Sequence, residues 1–257
     1  MSYVDLHCHL LPGVDDGAQT LDESVCHARR MVAEGVRDVL VTPHVNRIWS
    51  LEVASIPDRM GELRAALRAE GVQLRVHEGA ELAHTRVADS RDRELATIAA
   101  GPPSARWLLL ETPFSGIGTS FLAAAAELRA RGFGLLLAHP ERAPDIEHGG
   151  LERLRPLLGA GALLQVNVCS LLGQHGLAVQ ESAVGLLRSG LAHVLASDGH
   201  PGTREHTLQL GFHLALRAGA SSTQAWRLTQ GNPRFLLRHG IPPSPSGVPL
   251  AGLAAAS

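Results

Sequence analysis

The amino-terminal segment reads YVDLHCHL and brings two histidines, His7 and His9, to the end of a predicted strand. Alternate residues of a strand point to the same side, so both imidazoles share one face and Cys8 lies on the other. Two imidazoles on one face can chelate a metal ion. Because such a pair also arises by chance, it indicates a metal site only together with further ligands. Asp5 shares this face, where it either orients an imidazole or accepts a hydrogen bond at the strand end.

Further metal-ligand residue types recur where other predicted strands end. They are His44 in TPH, Glu81 in GAE, Glu111 after WLLL, His139 in AHPER, and Asp198 and His200 in SDGH. Asp16, in the sequence DDG of the first loop, either belongs to a plain turn or adds a carboxylate. A single residue of this kind is usually a helix cap or a surface group. Caps and surface groups do not readily explain why six strand ends each carry such a residue. In parallel barrels the active site forms at this edge, so we expect these side chains to converge there.

The elements that must position them follow from short apolar segments that alternate with longer amphipathic ones. Seven strands are predicted, at Tyr3–Leu6, Asp38–Val41, Gln73–Val76, Trp107–Leu110, Gly134–Ala138, Leu163–Val166 and His193–Ala196. Helices are predicted at about 21–34, 52–70, 119–131, 151–159, 180–189 and 204–218. Thr20 followed by Glu23 is typical of a capping box. Glycines at positions 35, 71, 132 and 190 stand where helices should stop.

This alternation indicates parallel β/α units in a single α/β domain, and seven units favour a closed barrel over an open sheet. Segment 81–104 interrupts the alternation of strands and helices and is predicted to be a long loop with a short helix. Residues 242–257 are rich in Pro, Ser, Gly and Ala and are predicted to form a disordered tail.

The composition excludes several functional classes. The chain has 257 residues, of which 45% are hydrophobic, enough for a sizeable core. All 23 basic residues are arginine, which excludes Schiff-base chemistry on lysine and the P-loop. A net charge of −2 makes a nucleic-acid surface unexpected. With neither a signal peptide nor an apolar run of about 18 residues, we expect a cytoplasmic protein without membrane insertion.

A cysteine nucleophile is also unexpected. Cysteine phosphatases need an arginine six positions after the cysteine, but the residues at those positions are Val14, Val32 and His175. An aspartyl-phosphate enzyme would need Asp-x-Asp, which does not occur in this chain. The nine remaining histidines are interpreted as surface or helix-face residues: His27, His77, His84, His148, His175, His193, His206, His213 and His239.

The order of these motifs resembles the PHP (polymerase and histidinol phosphatase) superfamily. Within it, the chain is similar to the CpsB/YwqE-like bacterial metal-dependent protein-tyrosine phosphatases of capsule and exopolysaccharide loci. The resemblance runs from about residue 3 to residue 239 and rests on HxH, DDG, TPH, GAE, AHPER, the QVN at 165–167, SDGH and the closing NPR at 232–234.

The resemblance implies a distorted (β/α)7 TIM-like barrel over residues 1–241, with three divalent metal ions. It points to Mn²⁺, with Fe or Zn as alternatives that mixed histidine and carboxylate ligands also fit. The implied metal ligands are His7, His9, Asp16, His44, Glu81, Glu111, His139, Asp198 and His200. Arg142 in AHPER and Arg204, which follows SDGH in a loop about one residue shorter than the family's, are implied to bind the substrate phosphate.

The implied activity is hydrolysis of phosphotyrosine on a protein by a hydroxide formed at the metals. The implied partner is the C-terminal tail of a bacterial tyrosine autokinase, and a homo-oligomer is compatible with the sequence. Two alternatives stay open: a PHP phosphatase for a small metabolite such as histidinol phosphate, and a non-catalytic metal-binding module. The charges agree with a phosphatase, since four carboxylates and three divalent ions leave a centre of about +2 for a phosphate dianion.

Overall fold

The computed structural model describes residues 2–205 and 207–243, so most of the predicted tail and His206 lie outside the described residues. The strands are β1 (Tyr3–Cys8), β2 (Val36–Val41), β3 (His44–Val45), β4 (Arg75–Glu78), β5 (Glu81–Ala83), β6 (Trp107–Glu111), β7 (Gly134–Ala138), β8 (Leu163–Asn167) and β9 (Ala192–Ala196). The helices are α1 (Leu21–Ala33), α2 (Ile56–Ala69), α3 (Asp92–Ile98), α4 (Thr119–Ala130), α5 (Leu151–Gly159), α6 (Val168–Leu171), α7 (Leu177–Arg188), α8 (Leu208–Arg217), α9 (Ser222–Trp226) and α10 (Asn232–His239). Strands and helices alternate, so the predicted single-domain α/β fold is confirmed.

The strands of the described chain pair in parallel and form two sheets. One sheet has the order β1-β2-β4 and the other the order β3-β5-β6-β7-β8-β9. The sheets meet where β1 and β9 end: Cys8 and Gly199 form an isolated parallel bridge, and the Asp198 amide donates to the His7 carbonyl at 2.9 Å. The ladder within the described residues is thus interrupted, and a closed seven-stranded barrel stays a prediction.

Two short strands account for the largest difference from the expected elements. Beyond the end of β2, Pro43 precedes β3, and beyond β4, Gly79 and Ala80 precede β5. A Cβ on Gly79 would lie 2.9 Å from the Leu40 side chain, so a larger residue there would force that side chain to shift. Segment 81–104 was expected to be a long loop with a short helix; α3 is that short helix, but the loop is wrong, because strand β5 and a 3₁₀ segment precede α3. The third strand also lies two residues later than expected, at Arg75–Glu78.

The helix boundaries follow local signals where these are strong. Thr20 caps α1, since its hydroxyl accepts from the Glu23 amide at 3.2 Å, and the four predicted stop glycines all have positive φ. The helix expected from residue 204 begins only at Leu208, and the helix expected from residue 180 begins at Leu177. The three short helices α6, α9 and α10 were not expected from the sequence.

The amino ends of the strands are covered by the carboxy-terminal part of the chain. The Trp107 indole donates to the Leu236 carbonyl of α10 at 3.1 Å. Asn232 and Arg234 of the NPR motif bond the carbonyls of His193 and Ser2, each at 2.8 Å. This end of the sheet is therefore closed, and the opposite, carboxyl end remains for the functional site.

In the part of the chain that the structure describes, no helix is both long and apolar enough to cross a membrane.

Candidate metal centre

The nine predicted ligands come together at the carboxyl edge of the strands. Their ligand atoms form four overlapping groups, in each of which the atoms lie within 4.8 Å of one another. The groups are His9, Asp16, His44 and His200; His7, His9 and Asp198; His7, Glu81 and His139; and His44, Glu81 and Glu111. The structure thus brings all nine side chains into one cluster, which we call the metal centre.

The middle of the metal centre is a buried set of imidazole nitrogens and carboxylate oxygens. The Nε2 atoms of His7 and His9 lie 3.2 Å apart. Glu81 Oε2 lies 3.2 Å from the first nitrogen and 3.4 Å from the second. Asp198 Oδ1 lies 3.5 Å from both. Lone pairs that face one another at such distances fit divalent cations, which accept all of them.

Hydrogen bonds on the far side of each ring direct these nitrogens inward. His7 Nδ1 donates to Gln165 Oε1 at 3.0 Å, and His9 Nδ1 donates to Asp15 Oδ2 at 2.9 Å. Both acceptors hold the proton on Nδ1, so the Nε2 lone pairs face the centre. Within the described residues, the buried Nδ1 atom of His44 makes no hydrogen bond although it lies 3.2 Å from Glu81 Oε2, an arrangement that fits a cation bound by both.

Strand β8 carries no predicted ligand, yet it holds the ligands in place. Gln165 Nε2 donates to Asn167 Oδ1 at 2.7 Å, and Asn167 Nδ2 donates to Asp198 Oδ2 at 2.8 Å. Sequence reasoning noted these residues only as a motif and gave them no role. Two amides on one face of the buried strand LLQVN were the signal that could have revealed them.

The two candidate roles of Asp5 are resolved by its contacts. Its carboxylate accepts from the backbone amides of His7 at 3.3 Å and Ser197 at 3.1 Å. Asp5 therefore ties β1 to β9 and does not orient an imidazole; the neighbouring loop provides that function through Asp15. Burial raises the pKa of Asp5 to about 6.

Two of the predicted ligands have strained backbones. His139 has φ 36° and Asp198 has φ 50°, both in the left-handed region that favours glycine. Such residues cost on the order of 1–3 kcal/mol each and cluster at functional sites. They follow β7 and β9, where the unusual turn directs each side chain back over the strand ends.

The carboxylates of the metal centre have opposite pKa shifts. Burial, together with the charge of Glu81, raises the pKa of Glu111 to about 8. Burial also opposes ionisation of Glu81, but the charges of His7 and His44 outweigh it and hold the pKa of that carboxyl well below its ordinary value. A cation shared by Glu81 and Glu111 would relieve the repulsion between them.

A cavity of about 250 Å³ opens above the metal centre and has two arginines in its wall. Arg142 Nη1 lies 3.6 Å from Asp198 Oδ2, and Arg204 Nη2 lies 3.5 Å from Asp198 Oδ1. Reciprocal backbone hydrogen bonds of 2.8 and 2.9 Å join His200 to Arg204. The shorter loop after SDGH therefore still brings Arg204 to the cavity.

The histidines outside the metal centre lie only partly where they were expected. His148, His213 and His239 are exposed. His27 is on a helix but buried, and burial lowers its pKa to about 4. His193 is half-buried in β9, the strand predicted at His193–Ala196, and not on a helix face; it accepts a hydrogen bond from the Leu164 amide at 3.2 Å.

A parallel α/β fold with a centre of histidines and carboxylates at the carboxyl edge is typical of metal-dependent hydrolases. The chain belongs to the CpsB/CapC family of capsular polysaccharide synthesis, whose family model matches residues 3–238.

Named relatives and a solved structure agree with this family. The tyrosine-protein phosphatase YwqE of Bacillus subtilis is 30% identical over 250 residues, or 94% of this chain and 96% of the relative. The tyrosine-protein phosphatase CpsB of Streptococcus pneumoniae is 24% identical over 244 residues, or 91% and 98%. A solved structure from work on YwqE and CpsB as unique metal-dependent tyrosine phosphatases matches with TM-score 0.77 and 26% identity, covering 95% of this chain and 98% of that one.

Replacing one central imidazole should weaken metal binding without unfolding the chain. We expect His7→Ala to bind metal at least about 10-fold more weakly, because it removes a nitrogen that faces both Glu81 and Asp198. Elemental analysis after dialysis measures this, and His213→Ala, an exposed histidine of α8, is the matched control. A folded His7→Ala protein with the full metal content would contradict the assignment.

Proposed function

We propose that this chain is a metal-dependent tyrosine-protein phosphatase that hydrolyses phosphotyrosine on a protein. The observation that carries the proposal is the cluster of nine ligand-type side chains beneath two arginines that line one cavity. Similarity to YwqE and CpsB, which are named tyrosine-protein phosphatases, supports the same activity.

The proposed cofactor is a set of three divalent ions, Mn²⁺ first and Fe or Zn as alternatives. Their ligands would be the nine residues of the metal centre, which provide five imidazoles and four carboxylates and so match a mixed nitrogen and oxygen preference. Bound ions supply Lewis-acid activation of water and of the phosphate ester.

The chain's own residues bind and position the substrate. The guanidinium groups of Arg142 and Arg204 contact the phosphate oxygens, for which bidentate arginine is well suited. Before substrate binds, both face Asp198, which holds them at the wall of the cavity. Burial of His7, His9 and Glu81 keeps bulk water away from the floor, where electrostatic interactions are stronger.

The wider context is also proposed. We infer a distorted (β/α)7 barrel over residues 1–241, formed by the two sheets, and a cytoplasmic location. The substrate would be the C-terminal tail of a bacterial tyrosine kinase in capsule or exopolysaccharide synthesis, supported by the family's role in capsular polysaccharide synthesis.

Two alternatives are less well supported. A non-catalytic module would not need all nine ligand types beneath a pair of arginines. A phosphatase for histidinol phosphate would share the metal centre, but the relatives that match most of this chain are named for phosphotyrosine. Substrate preference therefore separates these alternatives.

A turnover panel on metal-loaded protein tests the proposed function. The substrates are a phosphotyrosine peptide, the matching phosphoserine peptide and histidinol phosphate. We expect the phosphotyrosine peptide to have the highest kcat/KM, and chelation to abolish its turnover. Preference for histidinol phosphate would favour the metabolite phosphatase, and no turnover of any substrate would favour the non-catalytic module.

Removing the arginine of AHPER should impair catalysis and leave the metals bound. We expect Arg142→Ala to lower kcat/KM on the order of 10³-fold, the lower end of the range for arginines that stabilise transferred phosphate. Arg204→Ala should behave similarly. Arg155→Ala, at an exposed arginine of α5, is the control. Activity of Arg142→Ala within a few-fold of wild type would show that Arg142 has a structural role.

Replacing the cysteines should spare activity. Burial raises the pKa of Cys169 to about 12, so this thiol is a poor nucleophile at neutral pH. We expect Cys169→Ser, and a variant lacking all three cysteines, to hydrolyse an aryl phosphate within a few-fold of wild type. A triple variant that is folded, metal-loaded and inactive would show that a thiol takes part.

A further inference from the structure

Large exposed apolar side chains gather at the mouth of the cavity over the metal centre. Ile48 is 80% exposed, Trp49 37% and Phe114 52%, and all three line that cavity. Scattered exposed apolar residues need no explanation, but a cluster of them beside a charged floor is typical of a ligand site. The mouth is therefore apolar and the floor is charged.

The loop that carries two of these side chains is held by the two residues that precede them. Asn46 Oδ1 accepts from the amides of Ile48 at 2.8 Å and Trp49 at 3.0 Å. Arg47, between Asn46 and Ile48 in sequence, pairs with Asp89 at 2.5 Å. These bonds hold Ile48 and Trp49 at the surface, where their exposure is unfavourable unless a ligand covers them.

Phe114 adjoins the phosphate-binding part of the site. Its ring stacks on the imidazole of His139, with centroids 5.6 Å apart and planes at 25°. The guanidinium carbon of Arg142 lies 4.3 Å from the centroid of the same ring. An apolar wall thus begins directly beside the groups assigned to the metals and to the phosphate.

We propose that Ile48, Trp49 and Phe114 form an aryl slot that holds the phenyl ring of phosphotyrosine while its phosphate reaches Arg142. This inference rests on the proposed function and adds the reason for its substrate preference. A phenyl ring fills an apolar mouth and extends the phosphate down to a buried floor. The short side chain of phosphoserine leaves the slot unfilled and places its peptide backbone against it.

The size of the expected effect follows from the chemistry of the slot. Apolar pockets distinguish ligands by about 10–200-fold. Shortening two walls should therefore reduce binding of aryl phosphates about 10-fold. Inorganic phosphate has no ring, so its binding to the floor should stay the same.

The test uses full-length, metal-loaded protein with the double substitution Ile48→Ala and Trp49→Ala. Neither residue is assigned to the metals or the phosphate, so the floor is left intact. Trp226→Ala, which removes a 47% exposed tryptophan of α9, is the matched control. Calorimetry measures binding of a peptide with phosphonomethyl-phenylalanine, a non-hydrolysable phosphotyrosine analogue, and of inorganic phosphate. Steady-state kinetics measure KM and kcat for phosphotyrosine and phosphoserine peptides.

We expect the double variant to bind the analogue about 10-fold more weakly than the wild type and to bind inorganic phosphate equally well. Its KM for the phosphotyrosine peptide should be higher, with little change in kcat. Phe114→Leu, which keeps an apolar side chain but loses the ring, should have a smaller effect in the same direction. Equal binding of the analogue by the double variant and Trp226→Ala would overturn the aryl slot, even in an active enzyme. If the wild type and the variants bind the analogue and inorganic phosphate as expected, but the wild type hydrolyses neither peptide, the slot is supported and the proposed phosphatase is overturned.

Discussion

The carboxylate of Glu81 is the interaction on which the rest of the site depends. Its two oxygens lie 2.7 Å from His139, 3.2 Å from His7 and His44, and 3.4 Å from His9. One buried anion thus joins side chains from the first and the second sheet. A lone buried carboxylate is strongly unfavourable, so Glu81 persists only because positive charge surrounds it. The strand breaks and the strained turns serve to bring that charge within reach.

The centre is built in layers that differ in chemistry. Imidazoles and carboxylates face inward, and amides of Gln165 and Asn167 fix two of them from behind. Arginines stand above, and apolar rings stand above the arginines. A hydrogen bond or a ring contact links each layer to the one below. The ring of Phe114, for example, contacts both His139 and Arg142. The order from charged to apolar matches a phosphate attached to an aromatic ring.

Much of this arrangement could be predicted from the sequence, and what could not has physical reasons. Apolar runs such as WLLLE and GLLLA identify buried parallel strands, and a His or acid at their ends marks the catalytic edge. Strands as short as β3 and β5 have too few residues for any alternation to show. Sequence patterns also treat apolar residues as core, so the exposure of Ile48 gave no signal. The partner of Asp5 was undetermined because it lies 192 residues away, at Ser197.

The NPR motif and α10 close the end of the sheet opposite to the metal centre, and this separation has a consequence for evolution. Asn232 and Arg234 bond backbone carbonyls of His193 and Ser2, and Trp107 joins the same closure through Leu236. Folding stability and chemistry are thus supplied by opposite ends of the same strands. Substitutions at the closed end can therefore change stability without touching the metal ligands, which lets the two ends vary separately in evolution.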